Sequence, residues 1–260
     1  MGKIVLEALR VVAADLHIHT CLSPCASLDM TPLTIARKAR EKNLGIIGIT
    51  DHNSAENAAA VMAAGRELGI CVIPGMEVTT AEEVHIVGLF DDLAGALSMQ
   101  SLVYEKLQSG ENDEDLFGMQ VVANALDEVE SINKRLLIGA TTLGLNEVVA
   151  AIHAYEGLVL AAHIDRPSYS MVGQLGFIPE GLDLDAVEIS KQMTLSEARA
   201  RYREYERFSF ITGSDAHSPE EIGAHPTCIQ IGRSGMAELR KALAGREGRK
   251  VLEEAGCRAF

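Results

Sequence analysis

Seven short apolar runs, most of them closed by a polar cluster, constrain this chain more than any other feature. Val11 to Leu16 leads into His17, and Ile46 to Thr50 into Asp51 and His52. Cys71 to Ile73 continues through Pro74-Gly75-Met76 into Glu77, and Val84 to Phe90 contains His85. Leu158 to Ala162 ends on His163, Ala186 to Ile189 on Ser190-Lys191, and Phe208 to Thr212 on Gly213-Ser214-Asp215. Runs that are apolar throughout, without alternation, suit strands buried on both faces. Between them, Thr31 as N-cap and Pro32 at the first helical position open a helix that reaches Asn43. Ala55 to Leu68, Thr194 to Arg207 and Met236 to Leu243 carry further helical patterns. The alternation predicts an α/β fold with a largely parallel sheet. Seven strands in 260 residues favour a barrel, with an open doubly wound sheet as the alternative.

One interval breaks the rhythm. Between His85 and His163 the chain spends 77 residues on what elsewhere takes 25 to 35. Residues 95–155 read as helices over Ala96 to Leu107, Gln120 to Lys134 and Leu145 to Tyr155, around the acidic stretch from Ser109 to Asp115. The expectation is a helical insertion (95–155) over the mouth of a barrel built from 1–94 and 156–260. The plainer alternative is one βα unit with long helices.

Charge and cysteine content restrict the setting. Lys and Arg total 23 against 37 Asp and Glu, a formal charge of −14, which argues against a chain that coats nucleic acid or an anionic membrane. A small anionic substrate stays compatible, because bound cations reverse the local sign. Five cysteines, Cys21, Cys25, Cys71, Cys228 and Cys257, form no CxxC pair, so a reducing cytoplasm fits better than a secreted disulfide framework. The segment Met1–Glu7 carries no leader signature, Leu6 makes Gly2 a poor acylation site, and no run approaches the ~18 apolar residues of a membrane span. The expectation is a cytoplasmic protein, with no membrane partner and an oligomeric state that the sequence leaves open.

Six of the eight histidines stand at the ends or starts of the apolar runs, together with acids. His17 and His19 form an HxH whose alternation places both on one face, within reach of one metal ion. Asp51 beside His52 orients its neighbour or caps the next helix. Glu77 follows a Pro-Gly, and Asp215-Ala216-His217 is a second alternating pair at a strand end. Each has an ordinary structural reading alone. Together they fall where the strand ends of a parallel barrel converge. His85 begins its run, so it joins the others only if its strand enters antiparallel from that rim. Imidazole with carboxylate selects Zn, Mn or Fe over Ca or Mg, in numbers that suffice for two or three divalent ions. His153, in a helical pattern, and His225, in a loop, are read as packing residues; Cys71 and Cys228 are read as core.

The order of HxH (His17, His19), TDH (Thr50 to His52), PGxE (Pro74 to Glu77), His85, His163 and SDAH (Ser214 to His217) resembles the PHP family, named for polymerase and histidinol phosphatase. The resemblance is close over 15–90 and 158–232. It implies a distorted (β/α)7 barrel and a trinuclear metal centre that hydrolyses phosphate esters. It also implies ligand sets: His17, His19, Glu77 and Asp215 for one ion, and Glu77, His85 and His163 for the second. The third set is His52, His217 and one residue from the loop after the HxH. Where many members of the family have His or Asp in that loop, this chain has Cys25, with Asp29 as a fallback and a buried structural cysteine as the plain alternative. The resemblance further supports Arg166 as an anion clamp. Lys191 reads either as a second phosphate contact or as a solvated lysine.

The expected reaction is hydrolysis of a small phosphorylated substrate (nucleotide, sugar phosphate or histidinol phosphate). Bound ions would lower the pKa of water from 15.7 toward ~7, and Arg166 would offset phosphoryl charge. Asp51, a water on the third ion, or His217 would supply the leaving group's proton. With aromatics at 4% and no Trp, no stable nucleic-acid complex is expected. Two rivals stand beside this reading. One is an amidohydrolase-like C–N hydrolase, which lacks a carboxylated-Lys position here. The other is a non-catalytic, metal-bound regulatory module.

Overall fold

The computed structural model describes residues 8–253; Met1–Glu7 and Cys257 lie outside the described residues. Its strands are β1 (Arg10–Ile18), β2 (Ile46–Ile49), β3 (Cys71–Thr79), β4 (His85–Leu89), β5 (Val121–Ala123), β6 (Val129–Ile132), β7 (Leu158–Ala161), β8 (Ala186–Ile189), β9 (Ser209–Thr212), β10 (Thr227–Ile231) and β11 (Lys250–Val251). The helices are α1 (Pro32–Glu41), α2 (Ala58–Leu68), α3 (Leu93–Lys106), α4 (Glu114–Phe117), α5 (Leu145–Ala154), α6 (Met171–Leu175), α7 (Leu195–Arg201) and α8 (Met236–Leu243). Nine strands form one mixed sheet in the order β11-β10-β1-β2-β3-β4-β7-β8-β9. Its seven-strand arc from β1 to β9 curls back on itself. Ile18 bridges Ala216 in parallel, with the His19 N–H donating to the Ala216 carbonyl at 3.1 Å and the Ala216 N–H to the His17 carbonyl at 3.3 Å. β10 and β11 continue the sheet antiparallel from the β1 edge. The result is the distorted seven-stranded barrel, closed at its rim more than along its length.

β4 is the exception among the barrel strands, antiparallel to both β3 and β7. That direction puts His85, its first residue, at the rim where the other strands end.

The barrel interior is one apolar cluster to which all seven strands contribute, among them Leu16, Ile46, Ile73, Val87, Leu160, Ala186 and Ile211. Two-residue periodicity then carries Glu77 (from Ile73), His85 (from Val87) and Glu188 (from Ala186) to the same inner face. β1 departs from this rule. Leu16 lies in the interior cluster, and its neighbour His17 also turns inward to meet Glu188. The register between β1 and β2 shifts between Asp15 and Ile18, a bulge that re-aims the histidines. β2 accommodates it with Gly48, where a Cβ would stand 2.5 Å from the Leu16 carbonyl oxygen.

Outside the barrel, α1 and α2 pack on β1 and β2 through Ile35, Ala39, Ile47, Ile49 and Val61. α3, α5 and α7 cover the other side through residues such as Met99, Val148, Ile152 and Ala198. The helix expected over Gln120 to Lys134 is instead a hairpin, β5 against β6. Its turn is closed by the Asn124 N–H donating to the Glu128 carbonyl, and Asp127 sits at φ 65°. Val121, Val122, Val129 and Ile132 are β-branched and fit a pleated surface better than a helix. The charged helix after Thr194 is likewise shorter than expected, ending at Arg201 before a 3-10 turn over Arg203–Tyr205. Among the described residues, no helix is long and apolar enough to cross a membrane. Cys228, read as core, is buried on β10 and disulfide-bonded.

Candidate metal centre

Glu77 is the hub of the barrel mouth. Its Oε1 lies 2.8 Å from His85 Nδ1, 3.2 Å from His163 Nε2 and 3.4 Å from His17 Nε2. Its Oε2 lies 3.0 Å from His52 Nδ1 and 3.5 Å from His19 Nε2. Five imidazoles from four strand ends thus face one carboxylate that is 1% exposed. Asp215 adds a second carboxylate, its Oδ1 3.0 Å from His19 Nε2 and 3.4 Å from His17 Nε2. His217 stacks on His19 with ring centroids 4.3 Å apart. Three overlapping groups have their ligand atoms close enough to share an ion: His17, His19 and Glu77; His52, Glu77 and His85; and His19, His52 and His217.

The outer nitrogens are held by residues around the cage. His17 Nδ1 donates to Glu188 at 2.9 Å. Ser23 Oγ donates to Asp51 at 2.7 Å, so it accepts from His19 Nδ1 at 3.0 Å. His217 Nδ1 donates to the Asp215 carbonyl at 2.8 Å. Each such bond fixes a tautomer whose other nitrogen offers a lone pair to the interior. Consequently His17 Nε2 and His19 Nε2 point lone pairs at each other across 3.2 Å, with carboxylate oxygens around them. His52 Nδ1 and His85 Nδ1 approach Glu77 closely, yet neither is aligned for a hydrogen bond. In these tautomers lone pairs of N and O crowd together, and their repulsion must be offset by added protons or by a bound cation. The donor set therefore fits divalent metal, and a nitrogen-and-carboxylate set suits Zn, Mn or Fe.

Burial and charge act in opposition here. Burial would raise the Glu77 carboxyl, but the neighbouring His85, His17 and His52 hold it well below the usual carboxylate range. Burial pushes His85 down to about 4, and burial with the His217 and His52 charges pushes His19 well below an ordinary imidazole. Two ligand candidates carry backbone strain, with His163 at φ 31° and Asp215 at φ 47°. Left-handed geometry costs a non-glycine residue ~1 kcal/mol or more and persists where surrounding contacts enforce it.

Of the residues singled out from sequence, the mouth brings together His17, His19, His52, Glu77, His85, His163, Asp215 and His217. Cys25 joins them: with His52 and His217 it lines a cavity of about 190 Å3 above the hub. Cys25 is exposed at the surface of the mouth; the surrounding protein would raise its thiol, but hydrogen bonds to His217 and His52 bring it down to about 6. The loop that carries it is pinned by the Ser27 N–H donating to the His217 carbonyl and the Cys21 N–H donating to the Met30 carbonyl. Asp29, the fallback, is exposed and absent from the cavity wall. Arg166 lines the cavity and pairs through Nη1 with Asp215 Oδ2 at 2.6 Å.

Two expected residues stand elsewhere. The Asp51 carboxylate accepts from the Thr20 N–H, the Thr20 hydroxyl and the Ser23 hydroxyl, so it organises the loop and does not face the cavity. Lys191 pairs with Glu221 at 2.6 Å, its side chain 47% exposed and outside the cavity wall, because the strand end turns it toward the surface. His153 bonds the Asp183 carbonyl on the outer surface. Glu188 escaped the sequence reading. Its one signal is a carboxylate inside the apolar run Ala186 to Ile189. Gly213 makes room for it, since a Cβ there would lie 2.4 Å from Glu188 Oε2.

The comparisons agree with this geometry. The PHP domain description matches residues 15–172. The 5'-3' exoribonuclease Rnm of Salmonella typhimurium is 37% identical over 102 residues, 36% of this chain and 33% of that protein. Its Escherichia coli counterpart is 28% identical over 181 residues, 65% of this chain and 57% of that one. The chain thus spans between a third and three-fifths of the length of these relatives. The lesion-specific endonuclease EndoQ of Pyrococcus furiosus shares the fold, with a TM-score of 0.70 at 20% identity, over 93% of this chain and 58% of that one. With the matched region covering more than half of its residues and including the first six cage residues, the chain belongs to the PHP domain family.

Proposed function

We propose that the chain is a metal-dependent phosphoesterase that hydrolyses phosphodiester bonds in nucleotides or at the ends of short nucleic acids. The observation that carries this reading is the Glu77 hub, where five imidazoles meet one carboxylate with a guanidinium, Arg166, on the cavity wall. In this reading His17, His19, Glu77 and Asp215 hold one ion, Glu77, His85 and His163 a second, and His52, His217 and Cys25 a third. Such ions, when bound, make water a competent nucleophile at neutral pH and polarise phosphoryl oxygens. The protein's own residues do the rest. Arg166 clamps a phosphoryl oxygen through its fork of donors while Asp215 holds the guanidinium in place. Glu188 and Ser23 keep His17 and His19 in the tautomers that face inward. His217, its Nδ1 bonded to the Asp215 carbonyl, would give its other nitrogen to the third ion, so in this reading the leaving oxygen takes its proton from water.

The substrate expectation shifts from the sequence reading. The relatives named above are, by name, exoribonucleases, and the structural neighbour a lesion-specific endonuclease, which supports a phosphodiester over histidinol phosphate or a sugar phosphate. The small cavity and the net charge of −14 favour a terminal or short substrate over a long tract. The 95–155 stretch acts as a cover, since Ile138 from within it lines the cavity. The test is turnover of dinucleotides, short single-stranded RNA and DNA, and phosphomonoesters by the Mn- or Zn-loaded protein and its Glu77→Gln variant. Phosphodiester cleavage reduced at least ~100-fold in the variant is expected. A loaded wild type that leaves every diester intact overturns the reading.

A further inference from the structure

Apart from the proposed ligands, the cavity wall consists of Arg166, Ile138 and Tyr169. If the ions and Arg166 engage the phosphate, Ile138 and Tyr169 meet whatever is attached to it. Ile138 is apolar and half-buried. Tyr169 lies with one face on the His85 ring, centroids 4.7 Å apart and planes 21° from parallel. It remains 45% exposed, so its opposite face and edge are open to the mouth.

The placement of this ring is enforced. Tyr169 sits at φ 56°, a left-handed conformation that a bulky residue rarely adopts. Its carbonyl accepts from the His85 N–H at 2.8 Å, and Ser170 next to it donates its hydroxyl to the Arg166 carbonyl. One turn thus carries both the guanidinium and the ring. Ile138 is held from the other direction. The Asn53 side-chain amide donates to the Leu137 and Gly139 carbonyls, 2.8 Å each, and its oxygen accepts from the Thr79 N–H. Asn53 directly follows His52, so the apolar wall is fastened to the cage itself. Strain at Tyr169, an open aromatic face and a fixed aliphatic wall beside a phosphate clamp describe a slot for a flat π-system.

We infer that Tyr169 and Ile138 form a nucleobase slot that selects, by stacking, substrates bearing a base on the nucleotide whose phosphate enters the cavity. This rests on the phosphodiesterase reading and names the recognition element that the reading lacks. The slot does not depend on base identity, because every base offers a π-face.

The test compares kcat/KM for a dinucleotide and for its counterpart lacking one base, in the loaded wild type and in the Tyr169→Ala, Tyr169→Phe and Ile138→Ala variants. Loss of one stack is worth roughly tenfold. The ratio of base-bearing to baseless substrate should fall about tenfold in Tyr169→Ala through a rise in KM, and should be kept in Tyr169→Phe. Ile138→Ala should lower it by a smaller factor. A second readout needs no turnover: a dinucleotide containing 2-aminopurine should lose fluorescence on binding to the wild type and to Tyr169→Phe, but not to Tyr169→Ala. Equal losses on both substrates in Tyr169→Ala would mean that the ring only braces His85, and would overturn the inference. So would a wild type that cleaves both substrates equally. Cleavage of neither substrate by the wild type strikes the phosphodiesterase reading instead.

Discussion

At the scale of single residues, Glu188 and Asp15 are both buried carboxylates, and they answer to different physics. Glu188 accepts from His17 and so raises the basicity of the inward nitrogen. Replacing it with Gln keeps the shape and an acceptor but removes the charge. Divalent-metal affinity should fall 10–100-fold in Glu188→Gln, as measured by competition with a chromophoric chelator. Unaltered affinity would remove Glu188 from this role. Asp15 accepts from the backbone N–H groups of Ser214 and Gly223 at 3.1 and 2.8 Å, yet burial outweighs these bonds and raises its pKa to about 6. The folded state then binds more protons than the unfolded chain between ~3.9 and that value. Its contribution to stability is therefore fully present below that window and is lost as pH rises through about 6. In urea unfolding of the metal-free protein, wild type should lose stability relative to Asp15→Asn between pH 5 and pH 7. A pH-independent difference would contradict this. The contrast also marks what the sequence makes legible. The cage histidines and Glu77 stood out because each lies at or beside one end of an apolar run. Glu188 was not, because a lone acid inside a short strand has no pattern to distinguish it from a strand edge. Asp51 misled for the converse reason: adjacency to a ligand candidate implies proximity, while its oxygens are taken by Thr20 and Ser23.

At the scale of elements, runs and caps predicted strand and helix positions well where the apolar pattern was continuous. They failed at β5–β6, where the hairpin is set by long-range bonds that no local window contains. Asn57, at the start of α2, makes those bonds. Its amide donates to the Thr20 hydroxyl at 2.8 Å and to the Val121 carbonyl at 3.0 Å, and its oxygen accepts from the Ala123 N–H at 2.9 Å. One buried side chain thus ties the loop after β1 to the hairpin. Asn57→Ala should cost ~2–4 kcal/mol, since the buried partners are left without a bond. Amide hydrogen exchange at Ala123 should accelerate while exchange in β2 and β3 does not. Uniform acceleration would instead indicate a global loss of stability with no particular hold on the hairpin. Strand direction was the other point that sequence left conditional. His85 opens its run, and only the antiparallel insertion of β4 between β3 and β7 brings it to the common rim. The bulge in β1 belongs to the same class, because strict alternation cannot place Leu16 and His17 on one side.

At the scale of the whole molecule, the formal charge of −14 opposes the phosphodiester substrate proposed for the mouth. A nuclease that grips many phosphates through lysines and arginines releases as many counterions. With 6–10 contacts it loses roughly 10³–10⁵ in affinity between 50 and 200 mM salt. Here Arg166 is the cationic side chain of the cavity wall, and remaining attraction would have to come from ions that the proposed cage would hold. Few phosphates are then neutralised, and the surrounding acidic surface repels the rest of a polyanion. Added salt screens that repulsion and weakens the short-range clamp, and the two effects oppose each other. KM for a short oligonucleotide should therefore change less than about tenfold across that salt range. The penalty for lengthening the substrate should shrink as salt rises. Steady-state kinetics on single strands of increasing length, at the two salt concentrations and fixed metal, measure both slopes. A steep loss of affinity with salt, of the size expected for many phosphate contacts, would mean that this acidic chain has a basic track outside the mouth, and that substrates are gripped along their length instead of by one terminal unit.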